Sequence, residues 1–351
     1  MSVRHSTRLL MPCVALIATA ALLLPAAAQG QWTVPRTPDG HPDLQGNWTN
    51  ATITPIQRPE GQGPVLTWEE VAQREGRAEA RVVAAAQPSD PDRAPPEVGG
   101  NVGAYNYVYI DGGSRVAIVN GEPRSSLITN PPDGRRPPLT PEGERRRDEV
   151  REFMGQFTEY DNPENRTLAE RCLVSFGSHG GPPMTPNYGY NGNYTIVQTA
   201  DYVMIHYEMV HDTRIIRLGE PAPLPDHMRP WFGDSWGRWE GDTLVVETSN
   251  IYSLQSYPTE PISQLVSPGV WGIRPTKDLK VTERFTRVDE ETILYEFTVD
   301  DPTTYTQPWG GEVPFKKFDD LLYEYSCHEG NHGLANILSG ARYQERQAGR
   351  N

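Results

Sequence analysis

The chain has 351 residues and carries 46 Asp and Glu against 32 Lys and Arg, a formal net charge of −14. That length suits one large domain, or a domain with extensions. The acid excess excludes nucleic acid and anionic lipid as partners, because both require a basic footprint.

The first segment reads as an export signal. Arg4 and Arg8 precede the apolar run "LLMPCVALIATAALLLP", and Ala26-Ala27-Ala28 offers a small-residue cleavage site before Gln29. The run is short for a spanning helix and is broken by Pro12 and Pro25, so no membrane insertion is expected after cleavage. Loss of residues 1–28 removes two cations and no acid, which takes the charge from −14 to −16. A periplasmic or secreted chain follows. Only Cys172 and Cys327 remain in it, and two cysteines in an oxidising compartment predict one disulfide.

Residues 31–66 are rich in Pro and Gly around one strand-like unit, "DLQGNWTNATI". "TWEEVAQREGRAEARVVAAA" predicts a helix opened by a Thr67/Glu70 capping box and stopped before Pro88. "QPSDPDRAPPEVGG" is a loop by composition, and "YNYVYIDGGSRVAIV" reads as strand, turn and strand. Thr140-Pro141 starts a second helix, "PEGERRRDEVREFMGQF". A long Gly/Pro-rich loop follows at 176–194.

From residue 193 the pattern turns to strands. "YTIVQT", "YVMIHYEMV", "TRIIRL", "DTLVVETSN", "LKVTERFTRV", "TILYEFTV" and "LLYEYSC" are rich in β-branched and aromatic residues, with tight hairpins at "ADY", "HDT" and "EGD". A long antiparallel meander closes on itself to hide its edges. The expected fold is mainly β: a lipocalin-like antiparallel barrel with N-terminal helices and long Pro/Gly-rich loops. The organisation is a signal peptide at 1–28, an N-terminal extension at 29–170 with the first strand or strands and two helices packed on the barrel, and the main barrel at 171–345.

Gly46-x-Trp48 and Gly237-x-Trp239 resemble the Gly-x-Trp strand of lipocalin-type (calycin) barrels, whose indole closes the barrel bottom. Over longer stretches the chain resembles a family of exported bacterial proteins of unknown function. The residues that carry this likeness are "TPDGHPDLQGNW", "FGDSWGRWEGDTLVVET", "ERFTRVDEETILYEFTVDDPTTYTQPW" and "YEYSCHEGN". The resemblance implies kinship and no reaction. In that family position 332 is often tyrosine, so His332 is a departure that counts against a shared metal role.

Three polar clusters carry the candidate chemistry. "CHEGNH" places His328, Glu329 and His332 at the H-E-x-x-H spacing of zinc hydrolases, where two ligands share a helix face and the glutamate is the base. Gly330 and Asn331 form helices poorly and no third ligand follows, so the competing reading is a strand-to-helix turn with Asn331 as cap. No metal or other cofactor is expected. "HYEMVHDTR" puts His206 and Glu208 on one strand face, His211 and Asp212 in a turn, and Arg214 at the next strand. Catalytic roles fall to His211, Asp212, His328 and Glu329. Ligand-binding roles fall to Arg214, His179, Trp309, Tyr305, His206 and Glu208. The bland alternatives are a solvated strand face, an Asx-turn at Asp212 and core packing for the aromatics.

The functional expectation is binding of a small apolar or aromatic molecule. The alternative is a cofactor-free lyase, isomerase or hydrolase that uses His and Asp/Glu in the barrel cavity. The zinc hydrolase is the remaining rival. The sequence leaves ligand, reaction and oligomeric state open.

Overall fold

The computed structural model describes residues 32–88, 92, 94, 111–158, 160–175, 180–186, 189–252 and 275–349. The chain divides into two compact units, Met1–Thr33 and Val34–Asn351, and the account below concerns the second. The expected signal segment at 1–28, His179 and the strand expected at 105–110 lie outside the described residues. No helix among the described residues is long and apolar enough to cross a membrane.

The core is a closed nine-stranded barrel. Its strands are β1 (Gly46–Thr49), β5 (Asn193–Gln198), β6 (Tyr202–Tyr207), β7 (Thr213–Leu218), β8 (Asp234–Glu240), β9 (Thr243–Ser249), β10 (Lys280–Arg287), β11 (Thr292–Asp300) and β12 (Trp309–Lys317). They pair in that order, and β12 returns to β1 through Trp48↔Lys317 and Thr49↔Lys316. β2 (Ile118–Val119) and β3 (Glu122–Pro123) form a small hairpin over Asn120-Gly121, both at positive φ. β4 (Ile128–Asn130) adds to the outer side of β12.

Closure follows from alternation. Val203, Ile205 and Tyr207 of β6 are buried, and so are Ile293, Tyr295 and Phe297 of β11; the residues between them face outward. One pairing departs from the antiparallel expectation: β7 and β8 run parallel, with Ile216↔Ser235 and Leu218↔Gly237. Residues 219–233 carry the chain back along the barrel before β8 begins, and the half-buried Arg217–Asp234 pair at 2.5 Å fastens that return.

Two barrel strands, β8 and β12, went unread in the sequence, as did the short β3 and β4, and one expected strand is absent. β8 is polar and broken by Gly237. β12 contains Gly310, Gly311 and Pro314. At both glycines a Cβ would collide with the carbonyls of neighbouring strands or their flanks, Phe297 O and Leu127 O respectively. Pro314 falls between the β4 and β1 pairings, where no partner asks for its missing N–H. "LLYEYSC" forms no strand. The closed barrel offers it no free edge, so it runs over the outside with Leu321 and Tyr323 about four-fifths exposed.

The helices keep the expected caps. α1 (Trp68–Ala85) opens on the Thr67/Glu70 capping box, and α2 (Pro141–Met154) opens on Thr140 with Pro141 in its first turn. α3 (His332–Ala348) follows Asn331, whose side chain accepts from Leu334 N.

One end of the barrel is closed by the turns at 241–242 and 288–291 and by Trp48. The Trp48 indole donates to Leu44 O at 2.9 Å, and the Arg287 guanidinium lies 5.6 Å from its ring centre. The opposite end, where β6 meets β7 and β11 meets β12, carries the long loops and is called the loop end below.

Candidate functional site at the loop end of the barrel

Rings span the middle of the barrel. Tyr207 stacks on Tyr194, Tyr194 on Phe315, and Tyr295 lies against both Phe315 and Phe285, all with ring centres within 5.4 Å. Each of these side chains is essentially inaccessible.

A buried polar group stands above the rings. Arg214 donates to both carboxylate oxygens of Glu283, at 3.0 and 2.5 Å, and reaches Thr248 Oγ1 at 3.4 Å. Tyr295 OH donates to Glu283 Oε1 at 2.9 Å and accepts from Met184 N at 2.8 Å. Asn50 Nδ2 donates to Tyr194 OH at 3.0 Å. Burial alone would lower the pKa of Arg214, but Glu283 offsets it and the net movement is upward. Burial raises both tyrosines, so they remain neutral hydroxyls.

The Gly/Pro-rich loop is a plug. Residues 180–186 are all buried and Met184 points into the core. Gly181, at φ +87°, lies so close to Arg214 that a Cβ would sit 2.7 Å from Nη1. Asn50 Nδ2 also reaches Met184 O at 3.4 Å.

Asp212 lies beside the plug. It is buried, accepts from Ser175 N at 2.9 Å, and packs near Gly180 and Phe232. No cation pairs with it among the described residues. Desolvation by burial pushes its carboxyl up to about 7, and the bond from Ser175 pulls the other way.

The remaining expected residues fall as follows. Arg214 begins β7 next to Asp212, but its fork points inward and is filled by Glu283 instead of facing the rim. His206 faces outward, with Nδ1 3.0 Å from Thr213 Oγ1. Glu208 does not share that face: β6 ends at Tyr207, Glu208 adopts helical angles, and its buried carboxylate accepts from Asn193 Nδ2 at 2.8 Å and Tyr323 N at 3.1 Å. His211 ends the single turn Met209–His211, which contains Val210 at φ +58° where a tight hairpin was expected. Trp309 and Tyr305 lie at the loop end inside the core, with ring centres 5.9 Å apart.

Cys172 and Cys327 are bonded, with Cα atoms 5.7 Å apart. His328, Glu329 and His332 are all exposed. Gly330 turns the chain at φ +73°, and His332 is the first residue of α3, so the six letters straddle a helix start and do not occupy one helix face. Among the described residues no three His, Cys, Asp or Glu side chains converge as a cation cage.

Glu283 and Tyr295 escaped the sequence reading. A signal existed: Val281, Glu283 and Phe285 share one strand face, and so do Arg214 and Ile216. A carboxylate and a guanidinium on two apolar faces of one barrel predict a buried pair. Compared with protein-family models, with curated proteins and with solved structures, the chain matches none.

Proposed function

We propose that the chain is an exported barrel protein, of the bacterial family and lipocalin-type lineage its motifs resemble, that binds a small apolar or aromatic molecule at the loop end. The observation that carries this reading is Asp212: a buried acid with no cation partner among the described residues, at the junction of the plug and a half-buried aromatic wall of Phe232, Trp231 and Tyr252. Ligand sites pair an apolar lining with a few placed polar groups. The barrel's depth is filled by rings, which favours a seat against the plug.

A second reading is favoured by the same carboxyl. An acid with its pKa near 7 is half protonated at neutral pH, which suits a general acid or base in a cofactor-free enzyme. His211, its neighbour in the chain, would be its partner in that chemistry.

Native mass spectrometry of the mature chain is expected to show a retained small molecule, and Asp212→Asn to reduce its occupancy. Conversion of that molecule by the parent and not by Asp212→Asn would select the enzyme. A ligand-free parent that binds no apolar or aromatic compound from a screening set would overturn both readings. Intact mass beginning at Gln29 tests the proposed export.

A further inference from the structure

A cavity of about 340 Å³ lies on the outer side of the barrel wall, away from Asp212 and the plug. It is bounded by the N-terminal layer and by the outward face of β12. Its walls include Arg58, Arg124 and Glu312, with Pro64 and Pro132 flanking and Thr129 on the rim.

The two arginines differ. Arg124 is neutralised: its Nε donates to Glu312 at 2.5 Å and its Nη1 to Glu122 at 2.6 Å. Arg58 has no carboxylate partner among the described residues. It is nine-tenths buried, and its one side-chain bond runs from Nη1 to Pro132 O at 2.6 Å. Nε is buried without an acceptor. The chain builds the position carefully. Arg58 N donates to Gly134 O at 2.8 Å, and Gly134, at φ +71°, packs so tightly on the guanidinium that a Cβ would lie 2.8 Å from Cζ.

A buried guanidinium with no counter-ion is costly unless something supplies one. We propose that this cavity binds a small organic monocarboxylate. Its anionic group pairs with Arg58, and its body lies between Pro64 and Pro132. Charge sets the class: Arg124 is already held by Glu312 and Glu122, so Arg58 is the one wall cation with no described counter-charge, and a single carboxylate supplies it. A guanidinium fork accommodates carboxylate and phosphate alike, so charge and the proline-flanked walls select the carboxylate and phosphate is the competing anion to test. The volume is at the small end of ligand sites, which excludes a lipid tail or a long peptide.

Calorimetric titration of the full mature chain with sodium benzoate tests this, with benzamide as the neutral isostere and inorganic phosphate as the alternative anion. Benzoate is expected to bind, and benzamide to bind at least about tenfold more weakly, as loss of a charge-assisted bond implies. Thr129→Glu places a like charge on the exposed rim and is expected to cost benzoate at least about tenfold with an unchanged thermal melt. Arg58→Gln is expected to do the same; if that variant fails to fold, Thr129→Glu decides. Benzoate no tighter than benzamide, phosphate tighter than benzoate, or benzoate affinity indifferent to Thr129→Glu would each overturn the proposal. Benzoate is itself a small aromatic, so its sensitivity to Thr129→Glu and Arg58→Gln is what assigns the binding to this cavity and not to the loop end.

Discussion

The two halves of the barrel are built on different principles. Toward the closed end the interior is apolar: Trp48, Ile196, Leu244, Phe285, Ile293 and Phe315 fill it, and the indole N–H finds a backbone carbonyl. Toward the loop end the same inward positions hold Arg214, Glu283, Ser235, Thr248 and Asn50, and a loop is pressed onto them. Apolar packing needs only volume and pattern, whereas a buried ion pair needs every partner in place. The closed half is therefore tolerant, while the loop half is exacting and holds the buried polar network.

The largest effect should come from the cross-link that ties this exacting half. The Cys172–Cys327 bond spans 155 residues. The chain-entropy argument assigns such a loop roughly 5 kcal/mol, an upper value if the unfolded chain retains structure. Cys172→Ser with Cys327→Ser should lower the urea-unfolding free energy toward that amount, and a change under about 1 kcal/mol would show that the strap and α3 are fastened by other means.

The ion pair sharpens the contrast further. Arg214→Ala or Glu283→Ala leaves a charge buried alone and should cost about 3–5 kcal/mol. The double replacement Arg214→Met with Glu283→Leu should recover most of the loss, because neither desolvation penalty remains. Urea melts of all three variants check this, and a double variant as unstable as the singles would mean that the network with Tyr295 and Thr248 is the stabilising unit.

Asp212 gives a pH signature. Its folded pKa, about 7, lies above its ordinary value of 3.8, so the folded state holds the proton more tightly than the unfolded chain. Its contribution is fully present below pH 4 and is lost as pH rises toward 7, by no more than about 4 kcal/mol at 1.36 kcal/mol per unit. Asp212→Asn should flatten that part of the stability profile between pH 4 and 7. A profile identical to the parent's would place the carboxyl in water.

Local chemistry was legible in the sequence wherever it is decided within a few residues. The Thr67/Glu70 box, Thr140-Pro141, the Gly241-Asp242 hairpin and the buried face of β6 all formed as read. The closed barrel and the disulfide were also legible, from the run of antiparallel strands and from Cys172 and Cys327 being the two cysteines beyond residue 28. What escaped depends on distant partners. β12 looks unlike a strand because its glycines answer to the backbones packed against it. Residues 321–327 look like a strand and are not one, because β1 and β12 had already sealed the barrel. Glu208 left its expected face because β6 stops one residue before it. The plug could be recognised as an unusual loop, but nothing in "GGPPMT" announces that Met184 reaches the core.

The smallest prediction concerns the H-E-x-x-H letters, and it separates two readings of one hexapeptide. Asn331 does structural work: its Oδ1 accepts from Leu334 N at 3.4 Å, and its Nδ2 donates to Glu170 O at 3.1 Å beside the disulfide. Asn331→Ala should cost about 1 kcal/mol, the usual value of an N-cap, with a further share for the Glu170 contact. His328, Glu329 and His332 are exposed on the same turn. Their substitution by Ala should shift stability by less than about 0.5 kcal/mol. A metal site predicts the reverse order, because ligands that close a site contribute to folding and the residue between them does not. Thermal melts with and without added zinc distinguish the two. A zinc-dependent rise in Tm that vanishes in His328→Ala and His332→Ala but persists in Asn331→Ala would return the hexapeptide to catalysis, whereas silent histidines and a sensitive asparagine leave it a helix start.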